Sequence, residues 1–355
     1  MLLNRKGSSN LTTLVIVLIV VALFANFSIF SKIMTKNVPE ADYSKYQSSA
    51  GKDEKQPELS AEELRAKDIA ENYTDITAKT ADTKCGELVL VNTSCIYDFN
   101  ARTSLFPQEF PESIFTSKTD NYTVKNVNIS LIPTAVTALN SLIDDFAAAT
   151  GHKDLLIVDA FRSYETQQKV LDAKIAQYGQ EQGKLIAQQP GASEHHTGYA
   201  LDLSLYINGK TADYDGTGDY EWITNNCYKY GFVIRYPQGK TGVTGIDYEP
   251  WHLRYVGKAH AYYMTKNNLC LEEYIDKLSY YPLDSDRLAI TTDDGQSYEV
   301  YAVPVSTDAA VVKVPKSQTY TLSGDNNGHI IVTVAKTQPA APETSEPDTA
   351  APDAE

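Results

Sequence analysis

Cysteine is scarce in this sequence, and no two cysteines have the spacing of a metal-binding pair. The chain has four, Cys85, Cys95, Cys227 and Cys270, and no CxxC motif, which argues against a structural zinc site built from thiolates. An even number of cysteines permits two disulfides, with Cys85–Cys95 as the local pair and Cys227–Cys270 as the second. It equally permits four buried thiols, because pairing does not follow from sequence.

Basic residues are also in deficit. The chain holds 31 Lys and Arg against 46 Asp and Glu, for a formal net charge of -15. This deficit argues against nucleic acid as a partner, because phosphate binding requires a basic surface. Part of the acidity lies in residues 337–355, which have no Lys or Arg and are rich in Pro and Ala. That composition predicts a disordered acidic tail. No repeated unit is present, so a solenoid is not expected.

The N-terminus carries the one long apolar run. Residues 11–31 are uncharged, and about 20 apolar residues are enough to span a bilayer as a helix. No convincing cleavage site follows the run, so an uncleaved transmembrane anchor is predicted, with residues 1–10 before it. Residues 32–83 are polar and predict a spacer. Within this spacer, Ser60 and Glu63 form the capping-box pattern at the start of a helix.

Residues 84–285 predict one globular domain of the α+β class. Helix and strand patterns are mixed without strict alternation, which favours an antiparallel sheet with flanking helices. The segment GELVLVN at residues 86–92 predicts a strand, and a long helical pattern ends at Gly151. Residues 286–336 contain short alternating β-branched runs separated by turn residues, which predict a small accessory β-module.

Two segments, residues 190–204 and 245–257, concentrate the chemically active side chains. A catalytic zinc takes three nitrogen or oxygen ligands and keeps a fourth position open. His195, Asp202 and His252 supply such a set, and a turn between the first two lets both reach one ion. Asp202 lies among apolar neighbours, where a buried carboxylate needs a cation as partner.

Glu249 lies three residues before His252. That spacing lets its carboxylate reach a water at the metal and act as general base. His196 is expected to line the cleft. The remaining histidines, His152, His260 and His329, are expected to be structural.

Taken together, the two segments resemble the VanY-type D-alanyl-D-alanine carboxypeptidases of zinc peptidase family M15. The family patterns S-x-H-x-x-G-x-A-x-D and E-x-W-H are matched by Ser193, His195, Gly198, Ala200 and Asp202 and by Glu249, Trp251 and His252. The resemblance covers roughly residues 84–280. It implies a Hedgehog/DD-peptidase-like fold, Zn²⁺ bound by His195, Asp202 and His252, and Glu249 as the catalytic base.

The same resemblance draws attention to the segment AFRSYETQ at residues 160–167. It implies that Arg162 faces the substrate, with Gln167, Ser193 and Trp251 as further substrate-binding residues. A guanidinium at a strand end can bind a carboxylate through two hydrogen bonds, or stabilise an oxyanion.

The implied function is removal of the C-terminal D-alanine from peptidoglycan stem peptides. L,D-carboxypeptidase, D-Ala-D-Ala dipeptidase and endopeptidase activities remain open within the enzyme class. A cell-wall-binding module that retains its metal is the non-enzymatic alternative. Because such substrates lie outside the cell membrane, the domain is expected on the extracellular side of a single-pass anchor in a bacterium.

Overall fold

The computed structural model describes residues 59–306 and 308–336. The predicted anchor at 11–31 and the predicted tail at 337–355 lie outside these residues. Within the described part of the chain, no helix is long and apolar enough to cross a bilayer.

The described residues form eight α-helices and fourteen strands. The helices are α1 Ala61–Asn72, α2 Pro133–Thr150, α3 Tyr164–Tyr178, α4 Gln180–Ile186, α5 Glu221–Asn226, α6 Thr241–Thr244, α7 Lys258–Lys266 and α8 Leu271–Leu278. The strands are β1 Tyr73–Lys79, β2 Glu112–Ser113, β3 Thr123–Val124, β4 Ser130–Leu131, β5 Leu155–Asp159, β6 Ala200–Ile207, β7 Lys210–Ala212, β8 Phe232–Ile234, β9 His252–Tyr255, β10 Leu288–Thr291, β11 Ser297–Pro304, β12 Ala309–Pro315, β13 Tyr320–Gly324 and β14 His329–Lys336.

The central sheet has the strand order β3-β5-β6-β9-β8, with β7 paired to β6. All its pairs are antiparallel except β3–β5, which is parallel. The predicted α+β class is therefore confirmed, and the predicted antiparallel sheet needs one parallel pair added. The parallel pair is short, since β3 contains only Thr123 and Val124.

Helix α2 covers one face of this sheet. It begins with Pro133, whose fixed φ suits a first helical position, and ends at Gly151 in the left-handed region with φ 81°. Leu139, Leu142 and Phe146 recur at helical spacing and are fully buried against the strands. This packing holds β5 and β6 in place, and those strands carry the candidate site.

The C-terminal strands form a second sheet of order β10-β11-β14-β13. The strands predicted in this region are confirmed. Strand β1, which the sequence places in a spacer at 32–83, pairs antiparallel with β12 over its whole length. The spacer assignment is therefore wrong for residues 73–79, because their partner lies more than 200 residues along the chain, beyond the range of any local pattern.

The β-module shares a core with helices α7 and α8. Val300 and Ile331 of the module pack in one buried cluster with Met264, Leu271 and Leu278 of α7 and α8. Burying apolar surface from both parts in one cluster makes the two parts depend on each other for stability.

The segment at residues 86–92 is not the strand that its apolar residues predict. Leu88, Leu90 and their neighbours are buried, but the backbone bonds to side chains and turns instead of a ladder. Leu88 N donates to Ser323 Oγ at 2.9 Å, and Leu90 N donates to the Asp325 carbonyl at 3.1 Å. Burial alone accounts for the apolar pattern.

All four cysteines are free thiols. Cys85, Cys227 and Cys270 are buried, and Cys95 is partly buried. The buried-thiol alternative is confirmed, and the two proposed disulfides are not formed. Burial raises the pKa of the Cys85 thiol to about 11, which keeps it protonated and unreactive at neutral pH.

Candidate active site

The chain reverses between His195 and Asp202 so that both reach the same point. His195 lies in a short 3-10 helix, Glu194–Thr197, which ends at Gly198 with φ 72°. A Cβ at Gly198 would lie 2.8 Å from Pro111 Cγ, so both the backbone and the space favour glycine there. Strand β6 follows, and its Asp202 lies directly opposite His252 of β9.

The two histidine side chains converge on the Asp202 carboxylate. His252 Nδ1 lies 2.9 Å from Asp202 Oδ1, and His195 Nε2 lies 3.4 Å from Asp202 Oδ2. One ligand atom from each residue falls within 4.8 Å of the others. The two imidazole rings stand edge to face, with centroids 5.0 Å apart.

This donor set fits a catalytic zinc ion. His195 Nδ1 contacts the Ala160 carbonyl at 2.6 Å, so that nitrogen carries the proton and Nε2 keeps its lone pair. Two imidazole nitrogens and one carboxylate leave a fourth position open, as in zinc hydrolases. Among the residues that the structure describes, His195, Asp202 and His252 are the one group of three possible ligands close enough together to hold a single metal ion.

The electrostatics of the site also suit a cation. Burial would raise the pKa of Asp202, but its interactions with His195 and His252 hold it well below its usual range. Burial would lower the pKa of His252, but the hydrogen bond to Asp202 and the nearby negative charge of Glu194 raise it to about 9. A metal that binds here replaces the His252 proton, so binding is coupled to proton release.

Arg162 and Glu249 lie on either side of the three donors. Arg162 Nη2 is 3.5 Å from Asp202 Oδ2, and Glu249 Oε2 is 3.9 Å from His252 Nδ1. Burial raises the pKa of Glu249, aided by the charge of Asp202 and opposed by His252 and Arg162. The structure therefore places one cationic and one weakly basic group beside the candidate metal position.

The three other residues expected to bind substrate differ in position. Trp251 is 37% exposed next to His252, whereas Ser193 is buried at the start of the 3-10 helix. Gln167 is buried and acts on Arg162: its Oε1 accepts from Arg162 Nη1 at 2.8 Å, and its Nε2 donates to the Gln188 carbonyl at 2.7 Å. The structure thus places Gln167 behind Arg162 as its support.

Comparison with known proteins identifies the family. The VanY family of D-alanyl-D-alanine carboxypeptidases matches residues 128–258, the part that holds the whole candidate site. A D-alanyl-D-alanine carboxypeptidase of Enterococcus faecium is 31% identical over 281 residues, which are 77% of this chain and 83% of the relative. The chain belongs to the VanY family. Its predicted family and enzyme class are confirmed.

Other relatives match over a shorter part of the chain or at lower sequence identity. YodJ of Bacillus subtilis (strain 168) is 42% identical over 146 residues, so the chain spans about half of that relative, 53% of its length. The crystal structure of the vancomycin resistance D,D-dipeptidase VanXYg with a D-Ala-D-Ala phosphinate analog superposes with a TM-score of 0.65 at 26% identity. The superposition covers 74% of this chain and 99% of the VanXYg chain, so the two proteins share the same fold.

Sequence reasoning missed the residues that hold this VanY-family site in shape. Asp159 accepts from Arg162 Nε at 2.9 Å, and Glu194 Oε2 lies 3.7 Å from His252 Nε2. Asp159 is the last residue of β5 and lies three residues before Arg162, so its position beside a motif residue was a usable signal. Glu194 lies between two motif residues, and its partners are Arg254 of β9 and Arg235 just after β8, so no local pattern marks it.

His196 is buried and structural at one side of a cavity. Its Nδ1 lies 2.7 Å from the Arg162 carbonyl, and its Nε2 accepts from Gly191 N at 3.0 Å. The ring packs against Phe99 with centroids 4.7 Å apart. It lines a cavity of about 700 Å³ whose lining does not include the three candidate ligands, and its role in the cleft of the candidate site stays a prediction.

The remaining three histidines have partners away from the site. His152 Nε2 lies 3.1 Å from Asp219, and His329 Nδ1 lies 2.8 Å from Asp325. His260 is buried and contacts two hydroxyl groups. The expectation that these histidines are structural agrees with each environment.

Proposed function

We propose that the chain is a zinc D,D-carboxypeptidase that removes the C-terminal D-alanine from peptidoglycan stem peptides. The observation that carries this proposal is the position of Arg162 and Glu249 on either side of His195, Asp202 and His252. Hydrolysis of a C-terminal residue needs a metal site, a base and a cation for the substrate's negative charge. Here Arg162, the cation, lies 3.5 Å from the candidate ligand Asp202, and Glu249, the base, lies 3.9 Å from the candidate ligand His252.

Under this proposal, His195 Nε2, the Asp202 carboxylate and His252 hold the ion. Bound Zn²⁺ supplies Lewis acidity, which lowers the pKa of water and polarises the scissile carbonyl. His195 and His252 are both buried, each with 4% of its surface exposed, so bulk water competes little for their nitrogen atoms. The ionised Asp202 offsets part of the charge of the metal.

Glu249 serves as the base. Its carboxylate takes a proton from the attacking water as the new C–O bond forms at the scissile carbonyl. It then delivers that proton to the amine nitrogen as the C–N bond breaks and D-alanine leaves. The raised pKa of Glu249 brings it closer to working pH, which favours both transfers.

Arg162 binds the negative charge of the substrate. Its Nε and Nη1 are already held by Asp159 and Gln167, so the guanidinium is oriented before the substrate arrives. A pre-oriented guanidinium suits the C-terminal carboxylate or the developing oxyanion. Ser193 and Trp251 are the proposed contacts near the terminal residue.

A second activity is D-Ala-D-Ala dipeptidase. Two relatives favour it: the VanXYg structure is named a D,D-dipeptidase, and a protein of Enterococcus gallinarum is named a bifunctional D-Ala-D-Ala dipeptidase and carboxypeptidase. The latter is 36% identical over 139 residues, or 72% of that relative. The same metal, base and arginine would serve both reactions.

The proposal also includes location and organisation. Residues 11–31 are proposed as a single-pass membrane anchor, with residues 84–285 as an extracellular catalytic domain. The apolar run in the sequence and the extracellular position of peptidoglycan support this arrangement. Residues 286–336 together with 73–79 are proposed as the accessory β-module.

Mass spectrometry of products from purified stem peptides tests the proposed activity. Pentapeptide, tetrapeptide and free D-Ala-D-Ala are each incubated with the zinc-loaded protein, and Arg162→Ala is the control. Loss of one D-alanine from the pentapeptide and no loss from the tetrapeptide is expected, and cleavage of the free dipeptide as well would show the second activity. Trimming of only the tetrapeptide would contradict D,D-specificity in favour of L,D-cleavage, and cleavage of only the dipeptide would favour the dipeptidase. No product from any substrate, with zinc bound, would support the non-enzymatic wall-binding alternative.

A further inference from the structure

Glu194 is a buried carboxylate with one oxygen in use and one facing the site. Its side chain has no exposed surface. Oε1 accepts from Arg235 Nε at 2.6 Å and from Arg254 Nη1 at 2.8 Å. Oε2 lies 3.7 Å from His252 Nε2, and within the described residues neither of these two buried atoms has a hydrogen-bond partner.

The arginines that hold Glu194 are themselves fixed from other parts of the fold. Glu272 of α8 binds Arg235 through two hydrogen bonds of 2.9 and 2.7 Å. Arg254 Nη2 donates to the carbonyls of Glu87 and Val89 at 2.8 and 2.9 Å. Two guanidinium groups and two carboxylates balance, so the buried cluster is neutral without a charge on His252.

The geometry of β9 places this cluster next to the candidate metal site. Arg254 and His252 are two residues apart on β9, so their side chains emerge on the same face of the sheet. Glu194 precedes His195 in the 3-10 helix and contacts Arg254 from that face. The free oxygen of Glu194 therefore points to the side of His252 that is turned away from Asp202.

We infer that Glu194 is a positioning residue for the metal site, which accepts the Nε2–H of His252 and so leaves His252 Nδ1 to bind the metal. The inference rests on the proposed function only in taking His252 as a ligand. A neutral imidazole has one N–H and one lone pair, and zinc-binding histidines usually donate the N–H to a carboxylate or carbonyl. His252 Nδ1 already lies on the ligand side, 2.9 Å from Asp202 Oδ1.

The two histidines then use opposite nitrogens. His195 donates from Nδ1 to the Ala160 carbonyl and presents Nε2, whereas His252 donates from Nε2 to Glu194 and presents Nδ1. The competing account is that Glu194 serves only to neutralise Arg235 and Arg254. That account makes no prediction about which nitrogen of His252 binds metal, and it treats Glu194 and Glu272 alike.

Cadmium NMR on the wild-type protein tests the geometry without any variant. The protein is loaded with a spin-active cadmium isotope and carries nitrogen-labelled histidine. Coupling of the metal to Nδ1 of His252 and Nε2 of His195 is expected, with a proton retained on His252 Nε2. Coupling to Nε2 of His252 would overturn the inference.

A pair of matched variants tests the role in affinity. Glu194→Asp and Glu272→Asp each keep a carboxylate that faces Arg235 and shorten its side chain by one methylene, so both proteins should fold, as circular dichroism would verify. Chelator competition then gives the Kd for zinc. Glu194→Asp is expected to weaken zinc binding about 10- to 100-fold, and Glu272→Asp to leave it unchanged. Equal Kd values for the two variants would overturn the inference.

These results separate the inference from the proposed activity. Zinc affinity and metal coupling are measured without substrate. A wild-type protein that binds cadmium through His252 Nδ1 but, when loaded with zinc, releases no D-alanine would support the role of Glu194 and contradict the carboxypeptidase proposal.

Discussion

Asp159 and Asp202 lie directly opposite each other on β5 and β6, where the register shifts after Ile157. Like charges in such a cross-strand pair repel, so a cation is needed near them. Arg162 supplies it: its Nε is 2.9 Å from Asp159, and its Nη2 is 3.5 Å from Asp202. One register pair therefore sets the separation between Arg162, the proposed substrate-binding arginine, and the candidate metal site.

Asp159→Asn is expected to weaken this anchor and to leave the metal in place. A hydrogen bond between charged groups contributes about 1.5 to 3 kcal/mol, so kcat/KM should fall roughly 10- to 100-fold. Steady-state kinetics on the pentapeptide and zinc content by elemental analysis check the two halves. Asp172→Asn, exposed on α3, is the control. An unchanged kcat/KM, or a fall in kcat/KM that is matched by loss of zinc, would contradict the role of Asp159.

Ile331→Ala is expected to destabilise the catalytic region from within the β-module. Ile331 is 1% exposed in the core that the module shares with α7 and α8. Truncation of a buried Ile costs about 2 to 5 kcal/mol, whereas Val311→Ala at a site 58% exposed should cost less than about 0.5 kcal/mol. Urea unfolding followed by fluorescence and by residual activity should show a single transition that shifts in both signals. Separate transitions would show that the module folds independently.

His260 is expected to make the protein less stable in acid. It lies between Tyr274 and Thr333, with contacts of 2.7 and 2.9 Å, and burial lowers its pKa from 6.5 to about 3. Between these values the unfolded chain holds more protons than the folded chain. The free energy of unfolding should therefore fall as pH drops below 6.5, by up to about 1.4 kcal/mol per pH unit.

Urea unfolding at a series of pH values, with and without His260→Gln, measures this contribution. The variant should lose this part of the pH dependence. His329 offers a control of opposite sign, because its hydrogen bond to Asp325 raises its pKa and stabilises the folded state at low pH. His329→Gln should therefore make the acid loss steeper. An unchanged pH profile in His260→Gln would contradict the assignment.

The sequence predicts the candidate ligands and the base because both motifs are local. His195 and Asp202 are separated by one turn, and Glu249 and His252 by three residues, so spacing alone brings each pair together. The Gly151 helix end and the strands of residues 288–336 likewise follow from local signals.

Features built from distant residues were not predicted. Strand β1 depends on β12, and residues 86–92 depend on Ser323, Asp325 and Arg254. Glu194 is fixed by Arg235 and Arg254, whose positions follow from the sheet order. A pattern of apolar residues reports burial, but the backbone and charge partners in these places are set by tertiary structure.

The account is tested most directly by Glu249→Gln, with zinc content and D-alanine release measured on one preparation. The amide keeps the size of the side chain and cannot take the proton. The account predicts wild-type zinc content and a loss of pentapeptide hydrolysis of roughly 100- to 10,000-fold, the usual contribution of a general base. Full D-alanine release by the zinc-loaded variant would contradict it.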